Sequence, residues 1–365
     1  MPNAKATNFF IGSNSGCGFY SYFDAFYDSD RMRKVFLLKG GAGNGKSTLM
    51  KKIAAAAQKQ GLDTEQIHCP SDPDSLDAVR IPAVGAAVID ATPPHAREAE
   101  YHGALDRYVS LSEYVDSAAL TAEREAIVRL SGEIRDRHDA ARKCLAGAYS
   151  ASNAAMGLVL GGVNSERISG RGAALVRRYI PKRHGVRPTK AYKRFFSGFT
   201  PKGLVAFPET LTTLCASPAS AELVSVLDDF GLSPFLLLPL LEAAQQNGFE
   251  VYAGYSPLVP SCLTSVVVPE LSLVVAVNEH GIFDGAEAHV RNIRLNALIA
   301  PDVWKQNRTR LRILRRTERS LLEDAFTSLS EALRLHDALE AIYKPYTDYA
   351  GLNRLAEKLI DEILN

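Results

Sequence analysis

Two stretches of the chain superpose at a constant spacing of 187 residues, and self-similarity of this kind limits the fold before any single motif does. The spacing lays Leu49 on Leu236, Ala56-Ala57-Gln58 on Ala243-Ala244-Gln245 and Gly61 on Gly248, then Pro70 on Pro257, Leu76 on Leu263, Val79 on Val266 and Pro82 on Pro269. No gap is needed across that span. Upstream, Phe9-Phe10-Ile11-Gly12 meets Phe195-Phe196-Ser197-Gly198 with a one-residue change of spacing, and downstream His138-Asp139-Ala140 resembles His336-Asp337-Ala338. Matched Gly and Pro at turn positions are harder to obtain by accident than matched Ala and Leu, so the expectation is an internal duplication: leader, α/β unit and helices, twice.

Within the first copy the order is strand, helix, strand, strand. Lys34 to Leu38 is a short apolar run, and Ser47 to Gln60 carries Leu49, Met50, Ile53, Ala54 and Ala57 on one helical face. Gly61 stands next, where a helix often ends in the left-handed region. Asp63 to His68 reads as a second strand, and Gly85 to Ile89 as a buried parallel one. The fold class expected is α/β, with tandem doubly wound parallel sheets carrying helical insertions. The boundaries expected are 1–160 for a first domain, including a helical subdomain at about 98–160 marked by Leu105, Tyr108, Leu111, Ile127, Leu130 and Ile134. Beyond it come a basic linker at 161–194, a second α/β domain at 195–300 and C-terminal helices at 301–365.

The loop after the first strand carries the most specific chemistry. Gly40-Gly41-Ala42-Gly43-Asn44-Gly45-Lys46-Ser47 satisfies G-x-x-x-x-G-K-[ST] between a strand and a helix, the context that this motif requires. Backbone N–H groups must converge on phosphate oxygens there, which demands residues able to turn sharply beside a ligand. The helix N-terminus adds its positive dipole end. Gly40 through Thr48 are therefore the expected nucleotide-binding residues. Lys46 would reach the β- and γ-phosphates, and the Ser47 hydroxyl would be a hard oxygen ligand for Mg²⁺.

These residues resemble the P-loop NTPases over about 34–90. Taken together with Phe9-Phe10-Ile11-Gly12, the run His68-Cys69-Pro70-Ser71-Asp72-Pro73-Asp74-Ser75-Leu76-Asp77 and the run Asp90-Ala91-Thr92-Pro93-Pro94-His95, most of the chain resembles a bacterial family of tandem-repeat P-loop ATPases. The resemblance implies the fold and ATP binding, and it names no reaction. No Asn-Lys-x-Asp base-reading signature occurs, which favours ATP over GTP.

Asp90 ends an apolar strand, where the second Mg²⁺-organising carboxylate of a P-loop site belongs, and is the second expected metal residue. The residue after it is Ala91, whereas many motor-type ATPases resemble one another in placing Glu there, so a fast motor is disfavoured. Asp72, Asp74 and Asp77 could orient water or an acceptor hydroxyl, and Asp72 stands beside Lys46 and Asp90 as a catalytic candidate. Ser71-Asp72-Pro73-Asp74 is equally ordinary turn chemistry, and His68, Cys69 and Asp72 make a weaker case for a metal site. His95 either faces phosphate or ends a loop.

The second copy lacks the machinery. At the constant spacing Lys46 falls on Ser233, Ser47 on Pro234, Gly45 on Leu232, Gly40 on Leu227 and Asp90 on Val277. It is expected to be a nucleotide-free partner, with His280 and Asp284 leaving room for an unrelated ligand.

Charge is segregated beneath a net value of +1. Arg167 to Lys202 contains eleven basic residues and no acidic one, leaving 31 basic against 41 acidic elsewhere. Such a stretch fits an acidic partner or nucleic acid, or a connector resting on acidic faces of its own protein. The N-terminal residues offer no apolar leader, no apolar run reaches the roughly 20 residues of a spanning helix, and five scattered cysteines fit neither a disulfide framework nor a zinc ribbon. A cytoplasmic protein without membrane contact is expected, its oligomeric state open. Three functions compete: a slow Mg-dependent ATPase; a small-molecule or nucleotide kinase with Arg97 or Arg107 covering the phosphates; and an ATP-switched nucleic-acid binder using 167–202 and the basic helix Arg308 to Arg319.

Overall fold

The computed structural model describes residues 4–93, 97–278, 283 and 290–364. His95, His280 and Asp284 lie outside the described residues. The chain opens with β1 (Ala6–Phe10), the hairpin of β2 (Gly12–Ser15) and β3 (Gly18–Ser21), and the one-turn helix α1 (Phe23–Phe26). Next come β4 (Lys34–Lys39), α2 (Lys46–Lys59), β5 (Thr64–Cys69), β6 (Asp72–Ile81), β7 (Ala86–Asp90) and β8 (Asp106–Ser110). A short α3 (Ser117–Leu120) leads to the long α4 (Arg124–Leu160) and then α5 (Ser165–Tyr179).

The remainder runs through β9 (Tyr192–Arg194), the hairpin of β10 (Ser197–Thr200) and β11 (Gly203–Ala206), α6 (Pro208–Thr213), β12 (Glu222–Leu227) and α7 (Ser233–Gln246). It ends with β13 (Tyr252–Tyr255), β14 (Leu263–Val268), β15 (Leu273–Val277), β16 (Val290–Arg294), the long α8 (Pro301–Tyr343) and α9 (Tyr349–Leu364).

The protein is mixed α/β, built on two six-stranded sheets. Their orders are β1-β5-β6-β7-β4-β8 and β9-β13-β14-β15-β12-β16, and in both the successive pairings are parallel, antiparallel, antiparallel, parallel and parallel. The sheets are mixed rather than purely parallel, which corrects the expected winding. β6 is the reason: it returns from β5 as a hairpin and pairs antiparallel with both β5 and β7. Each sheet is covered on both faces, and the parallel inner strands β4, β7 and β15 are accordingly near-continuous apolar runs. In β4, Phe36 and Leu38 face α2 while Val35 and Leu37 face the leader elements.

The leaders meet back to back. The Phe10 amide donates to the Phe195 carbonyl and the Phe195 amide to the Phe10 carbonyl, both at 2.9 Å. This exchange of both bonds is an antiparallel bridge between the two leaders. The hairpin strands Gly12–Ser15 and Ser197–Thr200 start 185 residues apart, the spacing of Phe10 and Phe195, one residue less than the spacing expected for the leaders.

The long helices α4 and α8 pack antiparallel. Leu130 clusters with Leu335 and Leu339, Leu145 packs with Ala325, and Asn307 donates to the Leu158 carbonyl. The isolated bridges of Val115 with Thr347 and Val163 with Ile299 tie the chain before each long helix to the chain after the other, and Val115 and Ile299, like Val163 and Thr347, stand 184 apart. His138 and His336 stand 198 apart and do not share that spacing. They are brought toward each other because the helices run in opposite directions, and each lines the same cavity.

After each long helix the chain crosses to the other sheet. α5 packs through Ile168 and Leu175 on the α7 face, and a Cβ at Gly172 would stand 2.6 Å from the Leu236 carbonyl oxygen, so glycine sets that close approach. α9 packs through Leu352, Ala356, Leu359 and Ile363 on α2 and the first sheet. The expected linker at 161–194 is thus a docked helix, an irregular segment and the edge strand β9. Likewise β8 lies within the stretch expected to be helical at 98–160, where an edge position beside β4 overrides a helical spacing.

Several of the eleven basic residues are committed internally. Arg194 is fully buried, 3.2 Å from Glu65 on the other sheet, with Arg80 at 3.6 Å and the Tyr252 hydroxyl donating to Glu65 at 3.0 Å. Lys202 pairs with Asp74 and Arg183 with Glu270. Arg167, Arg171, Arg178 and Lys182 are exposed. Among the described residues no helix is long and apolar enough to cross a membrane.

Candidate functional site

The site forms where β4 and β7 end side by side. These strands are parallel neighbours with Leu38 opposite Asp90, so the loop leaving β4 begins beside the Asp90 carboxylate. Gly43 and Gly45 take φ of +69° and +75°, which a side chain would strain, and the turn they make directs the chain into α2. Asn44 is buried beneath the loop, and its amide donates to the carbonyls of Gly41 at 3.3 Å and Ala42 at 2.9 Å. α2 begins without a side-chain N-cap, so its first amides are left for another acceptor.

Lys46 and Asp90 come together. The Lys46 ammonium lies 3.7 Å from the Asp90 carboxylate and donates to the Gly40 and Gly41 carbonyls at 2.7 and 2.8 Å. Asp90 also accepts from the Thr92 amide at 3.0 Å and hydroxyl at 2.5 Å. Burial raises the Asp90 pKa above the ordinary carboxylate value, and Lys46 and Thr92 offset only part of that rise. The Ser47 hydroxyl accepts from the Leu76 amide at 3.0 Å, which fixes it against the β5–β6 hairpin. Gly41 to Thr48 and Asp90 line one cavity of about 570 Å³. Gly40, also expected to bind nucleotide, does not line it; its carbonyl accepts from Lys46.

Asp72 lines the same cavity but is engaged in its own turn, accepting from the Asp74 amide at 3.2 Å and from the Ser75 hydroxyl. Asp74 is outside, its pKa lowered by its contact with Lys202. His68 is satisfied on both ring nitrogens, by the Pro73 carbonyl at 2.8 Å and the Asn8 side chain at 2.9 Å, and burial lowers its pKa. Burial pushes the Cys69 thiol up. Among the described residues no group of three or more His, Cys, Asp or Glu side chains could hold a metal ion by itself, which corrects the metal reading of His68, Cys69 and Asp72. Arg97 stacks over Tyr27 and pairs with Asp24 and Glu100, and Arg107 binds Glu362 through two bonds at 2.8 and 2.9 Å. Neither lines the cavity, which corrects their expected role over phosphate.

Helix residues that sequence reasoning missed close the cavity. His138 comes from α4, and His336, Asp337 and Glu340 come from α8. The Gly43 amide donates to the Glu340 carboxylate at 3.1 Å. Burial, and then the neighbouring His336, lowers the His138 pKa. The one signal in the sequence is the pair of His-Asp-Ala triplets, which reads as repetition until the antiparallel packing is known.

A second cavity of about 780 Å³ shares Ser71 and His138 with the first and carries Arg135 and Arg142 over an apolar wall of Ile134, Leu145 and Leu329. At the corresponding loop of the second sheet, Asp228 accepts from the Phe230 amide at 3.0 Å and the Ser233 amide at 2.6 Å. A carboxylate of the same loop thus fills the start of α7. Ser233 and Val277, at the Lys46 and Asp90 positions, are buried and carry no charge. No family model, no curated protein and no solved structure matches the chain.

Proposed function

We propose that the protein binds ATP with Mg²⁺ at the Gly40–Thr48 loop and hydrolyses it slowly, and that the chain is an internal duplication whose second P-loop-like half binds no nucleotide. The observation that carries this reading is the meeting of Lys46 and Asp90 at 3.7 Å beside an α2 start that lacks a side-chain cap. The loop amides are suited to an anion, since the Gly43 amide already holds a carboxylate. The residues therefore fit a phosphate tail and its metal: amides of the loop and Lys46 for the phosphates, the Ser47 hydroxyl and Asp90 for Mg²⁺. When bound, Mg²⁺ neutralises charge that develops on the β- and γ-phosphates. Lys46 exchanges its carbonyl partners for phosphate oxygens, and Asp90 stays ionised beside it. Ala91 supplies no carboxylate to orient water, which keeps turnover slow.

Kinase activity is the second reading, favoured by the adjoining cavity with Arg135, where Arg142 is paired with Asp139. An acceptor held there would have to increase ADP formation and leave a phosphorylated product. The nucleic-acid reading is weaker, because Arg183, Arg194 and Lys202 already have acidic partners.

Calorimetric titration with Mg-ATP tests the main reading. One equivalent per chain is expected for the wild type, with affinity lost by at least about 100-fold (about 2.7 kcal/mol) in Lys46→Ala. Two equivalents would contradict the assignment of the second half, and no binding by a native protein would remove the proposal.

A further inference from the structure

The contact between Glu340 and the loop shows that the amides take an anion, and it also bears on how a nucleotide gains access to them. Its carboxylate takes the Gly43 amide at 3.1 Å, and a Cβ at Gly43 would stand 3.4 Å from the Cα and carbonyl oxygen of Glu340. The end of α8 therefore lies directly on the loop, and it presents an anion where a phosphate oxygen would go. Lys46 is turned back onto Gly40 and Gly41 at the same time. The corresponding place in the other half differs. There Met156 of α4 approaches the loop, its sulfur 4.0 Å from the position of a Cβ at Gly231, and the amides are held by the local Asp228.

The two carboxylates also differ in how firmly they are held. Asp228 makes two hydrogen bonds within its own turn, so releasing it would break the turn. Glu340 makes its loop contact across 297 residues, has His336 at 3.8 Å, and keeps a side chain 46% exposed. It can leave the amide for water without unfolding anything.

We propose that Glu340 is a built-in competitor for the phosphate site: the second half of the chain closes the loop of the first with a carboxylate, which a nucleotide must displace in order to bind. This rests on the P-loop reading and adds regulation to it. Any event that shifts the end of α8, such as a partner binding along the α4–α8 pair, then changes nucleotide affinity without touching the loop. A triphosphate and a fixed carboxylate repel each other and compete for one donor, so removing the charge strengthens binding.

The test is calorimetric titration of Mg-ATP into the wild type, Glu340→Gln, Glu340→Ala and Lys46→Ala, with the fold of each checked by circular dichroism. Both Glu340 variants are expected to bind roughly tenfold more tightly than the wild type, the scale of one charge-assisted hydrogen bond. Binding by the Glu340 variants alone, with none by the wild type, would support the proposal further. If the wild type binds and neither Glu340 variant binds more tightly, the competitor role is overturned and the P-loop reading stands. Absence of binding in all four native proteins overturns both.

Discussion

Asp90 shows what the site demands of a single residue. A folded-state pKa above the ordinary 3.8 means that the folded chain takes up a proton more readily than the unfolded chain. Its contribution to stability is therefore present below 3.8 and is lost as pH rises through the folded value, so at neutral pH the ionised Asp90 is a net cost to the nucleotide-free protein. Asp90→Asn keeps an acceptor for Thr92 and removes that cost. The variant is expected to unfold at higher urea than the wild type at neutral pH, with the difference closing as pH falls toward 3.8, while Mg-ATP no longer stabilises it. A less stable variant at neutral pH would show that the ion pair with Lys46 outweighs burial.

Among the elements, the edge strand β9 joins the two sheets through one buried charge. Burial alone would raise the Glu65 pKa, but Arg194, Arg80 and the Tyr252 hydroxyl together hold it below the usual range. Glu65→Gln leaves two guanidinium groups without their counter-ion, and a loss of about 3–5 kcal/mol is expected in urea unfolding. A loss under about 1 kcal/mol would mean that water replaces the carboxylate. Local pattern makes some of these elements legible. The stripe Leu49, Met50, Ile53, Ala54, Ala57 predicts α2, and observed α2 buries those five residues. The apolar runs of β4 and β7 and the loop between β4 and α2 are equally plain, because each is decided by neighbours in the chain. β6 is hidden because Asp72-Pro73-Asp74-Ser75 spells a turn, although strand pairing on both sides carries the chain through it. β8 is hidden by the helical spacing of Leu105, Tyr108 and Leu111, and α5 by its charge. Glu340 is out of reach of any local pattern: its contact spans 297 residues and depends on the direction of a helix pair.

At the scale of the molecule, the crossing of α5 and α9 decides how the protein can be divided. The first sheet receives the helix that ends the chain, and the second receives the helix after α4, so neither half owns its complete core. Cutting after residue 160 would leave α2 without Leu352, Ala356, Leu359 and Ile363. Burial of the two leucines and the isoleucine alone is worth roughly 5 kcal/mol, comparable to the whole stability of many domains. Residues 1–160 expressed alone are therefore expected to stay unfolded or aggregate, and the full chain to lose both sheets together. Differential scanning calorimetry checks the second point: one transition is expected, with calorimetric and van't Hoff enthalpies equal. Two resolved transitions, or a native-like circular dichroism spectrum and a cooperative melt from 1–160, would show that the halves fold independently and that the exchanged helices only decorate them. A chain that melts as one unit also gives the Glu340 contact its reach, because the helix that closes the loop is then coupled to the cores of both sheets.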